Sequence, residues 1–304
     1  MRFFSAFSEF LNMKFIGSLI NKDANKAKYG IFGIPFDKNS FIRGARRGAA
    51  AIRASSHRLE SFLWQQKFEV SMARFYDFGD IRALNYRSLY KHLSKRTSNF
   101  KGRSIFLGGD HSVTLPIVKS LAARGGKVKV ISFDAHADLR DSYLKNRFSN
   151  ACVMRRVAEV VGFENVAEVG VRSCSYEEFG LIQSGSLRIY GADVIKGEGL
   201  SRIAEELADF TSSGGGVAHL SIDIDVLDPC YAPGVEDPEP EGLSVSELIY
   251  LIREIIRAGN VVSCDIVEVN PRLDVNGLTS VVAAKIALEV LASFWELEAG
   301  GGKL

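Results

Sequence analysis

Six short apolar runs, interleaved with stretches of helical period, constrain this chain more than any other feature. They are YGIFGI (29–34), SIFLGG (104–109), VKVISF (128–133), VAEVGV (166–171), VAHLSI (217–222) and VVSCDIVEV (261–269). Continuous apolar runs of this length read as parallel strands buried on both faces. The stretches at 45–58, 86–97, 113–124, 151–161, 200–211, 245–258 and 279–294 repeat their apolar positions at helical spacing, and several follow a Ser or Thr able to cap a helix. The alternation predicts an α/β fold, a three-layer α/β/α arrangement around a central, mainly parallel sheet. Such sheets bind ligands outside the carboxyl ends of their strands.

Polar residues gather where that rule puts a site. GGDHS (108–112) follows the run at 104, DAHAD (134–138) follows the run at 128, SIDID (221–225) ends the run at 217, and Glu268 lies late in the run at 261. Residues two apart in an extended segment point the same way. On that ground Asp134, His136 and Asp138 are expected to converge, as are Asp223 and Asp225 from another strand. With His111 they make six candidate metal ligands, four carboxylates and two imidazoles, a donor set suited to a pair of Mn²⁺-like ions rather than a structural zinc. Desolvating several carboxylates together is unfavourable unless cations neutralise them. Two divalent ions roughly 3.5 to 4 Å apart can hold a shared water and lower its pKa towards neutrality. The chemistry expected is hydrolysis.

Composition narrows the alternatives. In 304 residues the chain has 46% hydrophobic and 24% charged residues and a net charge of +2, with no basic stripe long enough to imply a nucleic-acid partner. Arg43, Arg46 and Arg47 stand as a short surface cluster. Cys152, Cys174, Cys230 and Cys264 are widely spaced with no CxxC pair, and reduced, structural thiols are expected. Glu9 and Lys14 interrupt the aromatic-rich start, which fits neither a signal peptide nor a membrane span, so a cytoplasmic protein with no membrane partner is expected. We expect residues 1–28 to be an N-terminal extension, its first twelve flexible because Met13 could serve as a start, and residues 29–304 to be a single catalytic domain.

GIPFD (33–37), SFIRGARRGAAAIRAS (40–55), GGDHS, DAHADLRD (134–141), VGVRS (169–173), SIDIDVLDP (221–229) and DIVEVNP (265–271) together resemble the ureohydrolase family of arginase, agmatinase and formimidoylglutamase, most closely the agmatinase branch. The resemblance runs from about residue 29 to 290. It implies an arginase-like fold and two Mn²⁺ ions, one held by His111, Asp134, Asp138 and Asp223, the other by Asp134, His136, Asp223 and Asp225. Asp134 and Asp223 would bridge. It implies a metal-bridging hydroxide that attacks a guanidinium carbon, Asp138 as the catalytic group that passes a proton to the leaving amine, and Glu268 as the catalytic carboxylate that grips the guanidinium. The competing reading of Glu268 is an ion pair with Arg272. His219, on the face of Ser221 and Asp223, is expected to be a satisfied core histidine, and Asp228 to shape the turn before Pro229. The implied partner is a small cationic guanidino substrate, agmatine or aminopropylagmatine, cleaved to putrescine or spermidine and urea. A trimer or hexamer is the family's common assembly.

Two departures qualify this expectation. Asn150, in SNACVMRR, stands where the family usually has a histidine, so Asn150 can orient substrate but cannot titrate near neutrality, and rate help of about 10² to 10⁴ is missing if that group matters. The loop after SIDIDVLDP reads APGVEDPEPEG, where the family's common form is APGTGTPEPGG. Glu236, Asp237, Glu239 and Glu241 then form an acidic rim suited to a polycation, or an ordinary solvated loop; Arg140 opposes a cation unless an acid pairs with it. The alternatives are a low-activity metal-binding homologue that partners an active subunit, or a ureohydrolase for guanidinobutyrate or arginine. Arginine is less favoured because Leu139 and Arg140 replace groups that arginase-like sequences use for the α-carboxylate and amino group.

Overall fold

The protein is described by a computed structural model covering residues 13–185 and 187–299. Eight strands form the main sheet: β1 (Tyr29–Gly33), β4 (Phe75–Asp80), β5 (Arg103–Leu107), β6 (Val128–Phe133), β7 (Val166–Val171), β8 (Arg188–Gly191), β9 (Val217–Asp223) and β10 (Val261–Val267). Two short strands, β2 (Phe62–Leu63) and β3 (Phe68–Glu69), pair separately as an antiparallel ribbon. In space the large sheet runs β4-β1-β5-β10-β9-β6-β7-β8. Every neighbouring pair is parallel. The expected architecture holds, and the sheet is wholly rather than mainly parallel.

The central strands are buried on both faces because helices cover both. On one face Ile31, Ile105, Cys264, Leu220 and Ile131 join a single core with the helices Val245–Ala258 and Leu278–Glu298. On the other face Phe32, Phe106 and Val130 pack with the helices Tyr86–Thr97, Thr114–Ala122 and Val153–Val161. The helix Val245–Ala258 starts at a Ser244/Glu247 capping box and turns Leu248, Leu251, Ile252, Ile255 and Ile256 inward. That spacing is the apolar stripe of a helix lying on a sheet, and each such side chain contributes about 1.5–3 kcal/mol on burial. One helical segment, Val275–Glu298, is long and apolar enough to cross a membrane, but 72% of its most apolar window is buried inside the fold.

Residues 13–28, read from the sequence as part of an extension, lie against the sheet edge. Phe15 is buried and its N–H donates to Asp77 at 2.9 Å, so this segment shares the core of the domain. The expectation for residues 1–12 falls outside the described residues. Strands β4 and β8, with the helices Tyr176–Gln183 and Ala192–Glu198, are elements the sequence pattern did not reveal.

Candidate active site

Four adjacent central strands, β5, β10, β9 and β6, end at one rim and deliver all the candidate residues to it. His111 follows β5, Glu268 follows β10, Asp223 ends β9, and Asp134 follows β6. The approach is tight at the first of these turns: a Cβ added to Gly109 would lie 1.7 Å from the Phe36 carbonyl oxygen, so only glycine fits. Asp110, although within the motif, spends its carboxylate on Ser112 and on the Asn39 N–H, which ties the β5 turn to the loop after β1.

The six residues do converge, for a reason different from strand alternation. Only Asp134 and Asp223 adjoin regular strand. Asp225 sits in a 3-10 turn, Ile224–Val226, and Asp138 adopts φ +48°, left-handed backbone that non-glycine residues rarely take. The turns are held by the carboxylate oxygens of these same residues. The His136 N–H donates to Asp134 Oδ1 at 2.7 Å, the Asp225 N–H to Asp223 Oδ1 at 3.1 Å, and the Ala135 N–H to Asp225 Oδ1 at 3.1 Å. One cluster forms around His111 Nδ1, 3.1 Å from Asp134 Oδ2, 3.1 Å from Asp138 Oδ2 and 3.3 Å from Asp223 Oδ2. A second joins His136 Nδ1 to Asp225 Oδ2 at 3.1 Å and to Asp134 Oδ1 at 3.6 Å. Asp134 belongs to both.

The donor set fits divalent cations. Within each of the groups His111/Asp134/Asp223 and Asp134/His136/Asp225, one ligand atom per residue lies within 4.8 Å of the others. His111 Nδ1 and Asp134 Oδ2 are buried without a hydrogen-bond partner and face one centre. So many carboxylates in one buried place disfavour one another's charge. Burial, then Asp134, pushes the Asp138 carboxyl up to about 7. Burial, then Asp225 and Asp134, drives Asp223 well above the usual carboxylate range. Burial alone would lower the two imidazoles, but the surrounding carboxylates outweigh it, holding His111 well above its ordinary value and His136 at about 12. Divalent cations among these carboxylates would neutralise them without protons.

Glu268 also has left-handed backbone, φ +62°, and its Oε1 accepts the His111 N–H at 2.7 Å. Its Oε2 is buried and has no partner. Arg272 instead donates to the Arg43 carbonyl, so the ion pair weighed for Glu268 does not form. A cavity of about 380 Å³ opens over the cluster, and Glu268, Asp138, His136, Asn150, Phe41, Glu236 and Arg140 are among its lining residues. Arg140 Nε lies 3.6 Å from Glu178, the acid that moderates its charge, while Asp141 pairs with Arg147 and Arg156. The loop expected to form an acidic rim divides. Glu236 is buried, Asp237 and Glu239 line the cavity, and Glu241 gives its N–H to Asp228 away from it. Asp228 also accepts the Cys230 N–H, the turn-shaping role expected of it.

Sequence reasoning gave no role to the hydrogen-bonded support beneath the candidate ligands. His111 Nε2 is 3.1 Å from Ser221 Oγ, which donates to Asp265 Oδ1 at 2.7 Å; Thr114 Oγ1 donates to Asp265 Oδ2 at 2.8 Å. His219, satisfied as expected, completes the chain with Nε2 3.0 Å from Asp265 and Nδ1 2.8 Å from Ser263. Ser221 and Asp265 are register partners on neighbouring strands, and their two-residue offset from Asp223 and Val267 was the available signal. Arg172, in VGVRS, pins the second ligand turn by donating to the Asp225 carbonyl at 2.8 Å and the Glu239 carbonyl at 2.7 Å.

Comparison with known proteins agrees with this geometry. A model of the arginase family matches residues 27–293. The chain is 34% identical over 276 residues to an agmatinase of Bacillus cereus, covering 88% of this chain and 91% of that one. It is 29% identical over 299 residues to a guanidinobutyrase of Pseudomonas aeruginosa, covering 95% and 92%. The crystal structure of an agmatine ureohydrolase of Thermoplasma volcanium superposes with a TM-score of 0.84 at 30% identity, covering 94% of this chain and 96% of that one. The fold, the strand-end site and the matched length together make this chain a member of the arginase family.

Proposed function

We propose that this chain is a manganese-dependent ureohydrolase that hydrolyses agmatine to putrescine and urea. The observation that carries the reading is the meeting of two features at one cavity. Six metal-type donors converge beneath it, and Glu268, anchored through Oε1 and with Oε2 unpartnered, is among its lining residues. A carboxylate so placed complements a guanidinium N–H in charge and shape. The similarity to an agmatinase of Bacillus cereus and to an agmatine ureohydrolase of Thermoplasma volcanium supports agmatine over other guanidino compounds.

His111, Asp134, Asp138 and Asp223 would hold one ion, and Asp134, His136, Asp223 and Asp225 the other. Two bound divalent ions supply Lewis acidity that makes water nucleophilic near neutral pH. Glu268 fixes the guanidinium so that its central carbon faces the ligand cluster. Asp138, at the cavity wall, takes a proton from the attacking water and returns it to the amine nitrogen as the C–N bond breaks, releasing urea. Asn150 donates or accepts a hydrogen bond to the bound substrate and moves no proton.

A second reading draws on Asn150. If the missing imidazole is indispensable, the chain binds metal but turns over slowly, as a degenerate homologue. Urea release by the manganese-loaded protein from agmatine, 4-guanidinobutyrate and arginine tests the proposal. Agmatine is expected to be the best substrate, and no urea from any of the three would refute hydrolysis.

A further inference from the structure

Glu236 combines three properties that its neighbours in the loop lack. It is 8% exposed, its Oε1 accepts the Ile42 N–H at 2.6 Å, and its Oε2 is buried with no partner. It lines the same cavity as Glu268. A buried carboxylate oxygen left unpaired is unfavourable, and a donor supplied by a bound molecule would relieve it. Burial, and then the neighbouring acids Asp237 and Asp110 against the N–H groups that it accepts, raise the Glu236 carboxyl above its usual range.

The surroundings specify the charge of that donor. Asp237 and Glu239 line the wall beside Glu236, and the guanidinium in the lining, Arg140, lies 3.6 Å from Glu178. Phe41, adjacent to the Ile42 that anchors Glu236, is 76% exposed and lines the cavity, an apolar wall for methylene groups. Two carboxylates, each with one oxygen tied to backbone and the other free, thus share a cavity of about 380 Å³. This is the complement of a flexible chain with a cation at each end.

We propose that Glu236 is the specificity-determining carboxylate of a second cation subsite, which takes the ammonium at the far end of an ω-aminoalkylguanidine while Glu268 takes the guanidinium. The assignment rests on the ureohydrolase reading for the identity of the guanidinium end. It explains why dications would be chosen over guanidines ending in a methyl or a carboxylate, the latter meeting Glu236, Asp237 and Glu239 with like charge.

The test is calorimetric binding to the manganese-loaded protein of agmatine, butylguanidine and 4-guanidinobutyrate, with urea release measured alongside. A charge-assisted contact made by one partner alone predicts that agmatine binds about 10- to 100-fold more tightly than butylguanidine. Glu236→Gln keeps an oxygen for the Ile42 N–H and should shrink that preference to about threefold or less, chiefly through KM in turnover. Equal affinity of the wild-type protein for agmatine and butylguanidine overturns the subsite, as does a Glu236→Gln protein that keeps the full preference. If the preference is present but no urea is released, the hydrolysis reading fails and the subsite stands. If urea is released without preference, the reverse holds, and a protein that binds none of the three compounds overturns both.

Discussion

Asn150 places an amide in the wall of the cavity that also contains Asp138 and Glu268. Its Oδ1 accepts the Ser149 hydroxyl at 3.0 Å, which leaves the amide's two N–H donors to bind substrate but gives it no proton to exchange near neutrality. An imidazole at the same point has an ordinary pKa of about 6.5 and can exchange one. Asn150→His is therefore expected to raise kcat for agmatine by about 10- to 100-fold, and to add an ionisation near pH 6.5 to the kcat profile. Steady-state rates between pH 5.5 and 9 check both. An unchanged rate and profile would mean that Asp138 handles every proton without help from this position. Asp138 was expected from alternation along DAHAD and Glu268 from its place late in a strand; both have left-handed backbone, φ +48° and +62°, and both line one cavity. No residue-type pattern announces that conformation in an aspartate or glutamate, so the strand alternation expected to orient Asp138 is not what the backbone shows.

At the scale of elements, the site is made by strand order. The β5-β10-β9-β6 neighbourhood brings together turns separated by well over a hundred residues in the chain. Beneath them the row Glu168, Ser132, Ser221 and Asp265 crosses four strands in register. Ser221 links the His111 imidazole to Asp265, so Ser221→Ala strands two buried polar atoms. The change should destabilise the protein by about 1–3 kcal/mol and weaken manganese binding by about tenfold or more. Thermal unfolding and metal titration check the two effects, and intact metal affinity would confine the chain of hydrogen bonds to a structural role. The runs that became β6 and β7 were legible to the residue, VKVISF and VAEVGV, because burial on both faces keeps such runs mostly apolar, with Lys129, Ser132 and Glu168 as buried exceptions. Edge elements were not. β4 reads FYDFGD and β8 RIYG, only partly buried, since an edge strand has one open side. The helix Tyr176–Gln183 escaped notice for the same reason: its Ser175/Glu178 capping box was visible, but its face buries little besides Glu178.

For the molecule as a whole, the packed anions couple metal binding to stability. Burial, with Asp134 next in weight, lifts Asp138 from 3.8 to about 7. A carboxyl raised on folding stabilises fully below its unfolded pKa and ceases to do so as pH climbs through its folded value, so the metal-free protein loses this contribution between about pH 4 and 7. His136, raised to about 12 against the pull of burial by Asp134 and Asp225, acts with the same sign at higher pH. Bound cations require the same groups deprotonated, and each ion at a hundred times its Kd adds about 2.7 kcal/mol. The increase in Tm on adding manganese should accordingly be larger at pH 8 than at pH 5.5. Calorimetric scans with manganese or with chelator at both values test this, and a shift independent of pH would contradict it. The central claim is that the buried carboxylates at the strand ends tolerate one another because two cations lie among them. Its most direct test is the manganese content of the reconstituted protein beside that of Asp134→Asn, which alters the ligand common to both clusters. Two equivalents per chain are expected in the wild type and one or none in the variant. A single equivalent in the wild type, or no loss in the variant, would contradict it.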